Sequence, residues 1–170
     1  MAATYTLWSK NTVFAANKCM ASIFNNTGSP VVVKLYRIYA LNNQYVAVTG
    51  VLTNLEVRKL TSATGGTTIT PVPHDTLNTI NANVVCATNA TVTPTDLYRR
   101  VLWSTDEPTA NTTMTIDEFE CLLPFGCIWS MGYGDSNVEP ITLNANEGVG
   151  IINTGAVVGQ CDLIFEFTAA

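Results

Sequence analysis

The chain has 170 residues, enough for one domain with a sizeable core and no need of a disulfide or metal staple. Hydrophobic residues make up 47% and charged residues only 12%, about half the charged share of an ordinary soluble domain. The net charge is −5, and the eight Lys and Arg include only two adjacent pairs, Arg58-Lys59 and Arg99-Arg100, which argues against the basic footprint of a nucleic-acid binder and against any pull toward an anionic membrane.

The first 16 residues hold Tyr5, Leu7, Trp8 and Phe14 in an otherwise Ala/Thr/Asn stretch. They have no basic start followed by an apolar core, so no signal peptide is expected and maturation in a cytosol is. The segment reads as an N-terminal arm (1–16) ahead of a folded domain (17–170), laid on another subunit or folded as a flap over the chain's own core. Its four apolar residues are the candidate protein-interface residues, Trp8 foremost because its surroundings are not core-like.

Beyond residue 16, short β-branched and aromatic runs alternate with turn signals. Cys19–Phe24 is the first predicted strand, followed by a turn over Asn25–Pro30. Val31–Leu41 is the strongest; its lack of clean alternation predicts burial on both faces or a bulge. Val51–Lys59 alternates, with Val51, Leu55 and Val57 on one face and Asn54, Glu56 and Arg58 on the other. Thr67–Val72 and Asn83–Ala87 follow. Thr93, Pro94 and Asp96 have the pattern of a helix start, predicting one or two turns as far as Arg100. Val101–Ser104, Thr115–Leu123 and Ile128–Met131 are further strands. Pro140–Leu143 and Val149–Asn153 read as a hairpin around Asn144–Glu147. In Gln160–Thr168, Cys161, Leu163, Phe165 and Phe167 point inward while Asp162, Glu166 and Thr168 point outward. Ile164 interrupts that polar face and is expected to touch a partner or a covering loop. About ten short strands separated by turns predict an all-β fold, an antiparallel β-sandwich of jelly-roll type.

The chemistry-bearing residues are few. The cysteines number five, and their spacing fits no zinc pattern. Cys19, Cys86 and Cys161 lie in apolar runs and read as reduced, buried small hydrophobes; Cys121 and Cys127 flank Pro124 and Gly126, where geometry alone decides whether they bridge. His74 is the single histidine, in a Pro-bounded loop next to Asp75 and without a nucleophile elbow, so it reads as a surface histidine. One histidine also excludes the usual metal site of cupin-type jelly rolls. Asp106, Glu107, Asp117, Glu118 and Glu120 form an acidic stretch with no calcium-loop or glycosidase context, and read as a solvated or interface rim. Trp103 and Trp129, inside apolar strands, read as core. The sequence thus predicts no catalytic residue, no cofactor and no metal.

Val32–Asn43 with Val48–Thr53, Thr70–Thr76, Leu102–Pro108, and Gly132–Leu143 with Asn144–Val149 and Phe165-Glu166-Phe167, taken together, resemble the jelly-roll head decoration (cement) proteins of tailed bacteriophages. The resemblance spans about residues 17–168, and none of its pieces is a catalytic signature. It implies a virion protein on the capsid exterior, assembled in the host cytoplasm as a homotrimer or homodimer. Its expected partner is the major capsid protein, whose neighbouring subunits it would bridge without chemistry. The competing expectation is a phage fibre or adhesin head that binds a glycan or receptor. A shallow groove with exposed aromatics, carboxylates and amides would mark that head; a broad apolar base would mark a cement protein.

Overall fold

A computed structural model describes residues 2–14, 18–44, 52–104, 125–131, 139–155 and 158–170. Every regular element among them is a strand: β1 (Ala3–Val13), β2 (Lys18–Asn25), β3 (Val33–Asn42), β4 (Leu52–Thr64), β5 (Thr67–Thr68), β6 (Val72–Pro73), β7 (Val84–Thr88), β8 (Thr91–Ser104), β9 (Phe125–Ser130), β10 (Ile141–Leu143), β11 (Glu147–Asn153) and β12 (Gln160–Ala169). They form two antiparallel sheets packed face to face. One has the order β10-β3-β12-β1-β6, with β9 also paired to β3; the other has the order β5-β7-β2-β11-β4-β8. The chain is therefore an all-β sandwich, as its alternating runs predict.

The core lies between the sheets. Leu7, Leu35, Ile38, Leu163, Phe165 and Phe167 enter it from one side, and Ile23, Leu55, Val57, Val149 and Ile151 from the other, all fully buried. Each such side chain contributes about 1.5–3 kcal/mol relative to exposure. The inward set foreseen in the last strand, Cys161, Leu163, Phe165 and Phe167, is buried throughout. Trp103 and Trp129 pack against the same cluster while staying partly exposed. Trp103 needs Gly126 in the opposite sheet: a Cβ there would lie 2.6 Å from its ring.

The structure corrects the reading of residues 1–16 as an arm separate from the domain. Ala3–Val13 is an interior strand, paired with β12 along its length and with β6 at Tyr5 and Thr6. Tyr5, Leu7 and Phe14 are core residues, exposed by 4% or less, and Tyr5 stacks on Phe167 with ring centroids 5.5 Å apart. They are therefore not available as interface side chains. Of the four candidates only Trp8 is, at 44% exposed.

The expected helix at Thr93–Arg100 is strand within β8. One or two helical turns gain little by themselves, whereas β4 offers a ladder from Leu52 to Thr64. Pro94, which has no N–H to donate, stands opposite Leu60 where that register shifts. The expected single strand Thr67–Val72 is divided between the sheets, Thr67–Thr68 pairing with β7 and Val72 with β1. The expected strand Thr115–Leu123, the acidic stretch 106–120 and Cys121 lie outside the described residues.

The β4–β8 ribbon is the longest pairing in the fold, and its register shifts three times between Val57 and Ser62. The shifts bend it over the outer surface of its own sheet, so β8 touches β2 although β11 and β4 lie between them. Leu60 and Phe24, on the outward face by register, are thereby buried at 0% and 4%. Gly148 and Gly150 make room: a Cβ on Gly148 would meet Phe24 at 2.4 Å, and one on Gly150 would meet Cys19 and Leu60 at 3.0 Å.

Candidate protein-interaction surface

Two outward faces carry exposed apolar side chains beside ordered charged groups. On the first sheet, Trp8, Ile164, Tyr39 and Cys127 stand opposite one another on β1, β12, β3 and β9 and form one row across the sheet. Directly opposed side chains on one face lie within reach of one another, so the row is a largely apolar stripe by register. Ile164, expected to meet a partner or a covering loop, is partly buried within it.

Trp8 is held in place. Its Nε1–H donates to Asp162 Oδ2 at 2.7 Å, and the Lys10 ammonium stands 5.3 Å from the ring centroid. Asp162 Oδ1 accepts from the Asn11 backbone N–H at 2.7 Å and from Asn43 Nδ2 at 2.5 Å. Asn11 has φ 51°, and the β1–β12 register shifts between Ser9 and Thr12. Asp162 therefore closes a bulge in β1 and fixes the indole beside it. The outward direction of Asp162 is legible in the alternation, but its role as hub for residues more than 100 positions away is not.

Below that row, Thr6, Glu166 and Arg37 form a polar one, with Arg37 Nη1 3.3 Å from Glu166 Oε2. It borders a shallow depression of about 400 Å³ lined by Thr4, Tyr36, Arg37, His74, Met131 and Glu166. His74 is exposed, as expected; its Nε2 lies 2.8 Å from Thr6 Oγ1 and its backbone N–H donates to the Thr4 carbonyl. Asp75 Oδ1 accepts from the Leu77 N–H and so shapes the turn rather than orienting the imidazole.

The second face is the outer side of the β4–β8 ribbon. By register, Leu52, Asn54, Glu56 and Arg58 point outward from β4, alongside Leu102, Arg100 and Leu97 of β8. Leu52, Leu97 and Leu102 are 57%, 45% and 66% exposed. Between them Glu56, expected on the polar face, has a side chain only 1% exposed. Arg58 Nε donates to Glu56 Oε2 at 2.6 Å and Arg58 Nη1 donates to the Thr95 carbonyl at 3.0 Å. Arg100 donates to Glu56 Oε1 through Nε at 2.7 Å and also through Nη2. Burial by itself would raise the Glu56 carboxyl; the hydrogen bonds and charges of Arg58 and Arg100 outweigh it and hold the group below the ordinary glutamate range. Glu56 and Arg58 share a face by spacing alone, but Arg100 is supplied from 44 residues away, so the triad cannot be read from the sequence.

A further ion pair joins β4 to the start of β11. Lys59 Nζ lies 2.7 Å from Glu147 Oε1, and this hydrogen bond chiefly lowers the Glu147 carboxyl and raises the Lys59 ammonium. Cys19, Cys86, Cys127 and Cys161 are free thiols. Burial pushes Cys19 and Cys86 up to about 12 and Cys161 higher still, so all three stay protonated at neutral pH. No protein-family model, no curated protein and no solved structure matches the chain.

Proposed function

We propose that the chain is a virion structural protein, a decoration or cement protein that binds the expanded phage head and bridges major capsid subunits. The observation that carries this reading is the ribbon face, where Leu52, Leu97 and Leu102 stand exposed around a fixed arginine. Exposed apolar side chains gathered on one surface mark a contact site more often than a solvated skin. Arg is also among the residues that dominate binding energy in protein interfaces. The nested pairing, first strand with last and β2 with β11, supports reading the sandwich as a jelly roll. In this proposal the protein is made in the host cytoplasm and sits on the outer surface of the virion as a homo-oligomer. Binding the expanded lattice and not the compact one stabilises the expanded state by linkage.

Heads of the encoding phage, made without this protein, provide the test. The purified chain should co-sediment with expanded heads at a fixed stoichiometry, fail to bind compact proheads, and raise the temperature at which the heads release DNA. Presence on tails alone, or binding to neither head form, overturns the reading.

A specific observation favours a second reading, a fibre or adhesin head that binds a glycan or receptor. Trp8 is a half-exposed ring fixed beside a carboxylate and the amides of Asn11 and Asn43, and a shallow depression lined in part by Arg37, His74 and Glu166 opens on the same sheet face. Under that reading Trp8→Ala abolishes binding to immobilised bacterial surface polysaccharide; under the decoration reading it leaves head binding intact.

A further inference from the structure

Resting on the decoration reading, we infer that the partner seated on the β4–β8 ribbon is a protein surface presenting a carboxylate among apolar side chains, contacted by Arg100 and with Glu56 as the positioning residue.

The ribbon offers its face rather than its edge. Among the described residues β8 ends its sheet, but its register with β4 shifts at Arg58, Leu60 and Ser62, and Pro94 lacks an N–H. A bulged edge interrupted by proline is a poor template for an added strand. Recognition there falls to side chains.

The charge of the face is opposite to that of the chain. The chain carries −5 overall, whereas Arg58 and Arg100 against Glu56 leave the triad at +1. A two-fold contact of the ribbon centred on this triad would set these arginines against their own copies, whereas an acidic surface complements the face directly. A polyanion such as DNA meets the repulsion of the rest of the chain.

Glu56 makes the arginine specific. Taking a carboxylate out of water is costly and stabilises little by itself. Here one buried carboxylate accepts from both guanidinium groups, while the side chain of Arg100 stays 56% exposed. The guanidinium is thus fixed in one plane before any partner arrives, which cuts the ordering cost of binding. Leu102, two residues along the same strand face, and Leu97 supply the apolar surround that excludes water from such a contact.

The test uses expanded heads lacking the protein and the labelled full chain, at about 50 and about 300 mM NaCl. Arg100→Glu should weaken binding at least tenfold at the lower salt, with the gap to wild type narrowing at the higher. Leu102→Asp should weaken binding at both. Glu56→Gln decides between positioning and charge. It raises the charge of the face by one, so a diffuse coulombic patch would bind more tightly; a positioned guanidinium predicts weaker binding by several-fold. Circular dichroism and urea midpoints check folding, and Arg100→Gln replaces the glutamate variant if that one fails to fold. Wild-type binding that Arg100→Glu or Arg100→Gln leaves unchanged, or tighter binding by Glu56→Gln, overturns the inference while the decoration reading stands. Wild-type chain that ignores expanded heads overturns both. Loss of self-association instead of head binding in Arg100→Glu identifies a second copy as the occupant and also overturns it.

Discussion

Leu7→Ala separates a strand built into the fold from an arm laid on a neighbour. Leu7 is 0% exposed and stands opposite Phe165 in the β1–β12 ladder. Three carbons are lost, worth about 2.4 kcal/mol at roughly 0.8 kcal/mol per buried methylene. A partly collapsed cavity adds to that, bringing the expected cost to about 3 kcal/mol. For a domain of this size, about 3 kcal/mol lowers Tm by roughly 6–12 °C. Lys10→Ala is the control: it lies on the same strand but is exposed, and should change stability by less than about 0.5 kcal/mol. The assay is urea unfolding followed by circular dichroism at two widely separated protein concentrations, with the slope m unchanged between variants. If β1 belongs to the chain's own sandwich, the full loss appears at both concentrations. A loss under about 1 kcal/mol, or a difference from wild type that changes between the two concentrations, would refute the assignment of β1 to the core of its own chain.

Two further outcomes follow from the same packing. Gly150→Ala places a methyl 3.0 Å from Cys19 Sγ and Leu60 Cδ1. It should destabilise by about 1–3 kcal/mol despite the usual gain from replacing glycine in a strand; a neutral or stabilising result in urea would mean that the ribbon does not cover this face. The second outcome concerns pH. Glu56 and Glu147 are both held below the ordinary glutamate range in the folded chain. The stability they contribute is therefore present above the unfolded glutamate value, about 4.3, and is lost as pH falls through their lower folded values. The stability difference between wild type and Glu56→Gln should accordingly shrink between about pH 5 and pH 3. A difference that stays constant over that interval contradicts the depressed carboxyl.

The period-two signal in β12 was sufficient to predict its buried set, because alternation of Cys161, Leu163, Phe165 and Phe167 is a property of the strand itself. Turn chemistry over Asn25–Pro30 and Asn144–Glu147 likewise marks where strands end, since those residues choose their backbone conformation locally, but the expected hairpin around Asn144–Glu147 is not formed: Ile141–Leu143 pairs with β3 in one sheet and Glu147–Asn153 with β2 and β4 in the other. The all-β class is therefore legible in the sequence alone. Residues 1–16 show where legibility stopped. Tyr5 and Leu7 alternate just as β12 does, but Ala, Thr and Asn dilute the pattern, and the strand that buries them is more than 150 positions away. At Thr93–Arg100 a local helix start was overridden by pairing with β4, a non-local term that no window over β8 contains. The candidate site divides in the same way. Trp8 stood out from its polar surroundings, but the hydrogen bond from Trp8 to Asp162 and the enclosure of Glu56 by Arg58 and Arg100 depend on strands joining late in the topology. A side chain's direction along a strand is set by its own sequence; what it meets there is set by whichever strand the fold brings alongside.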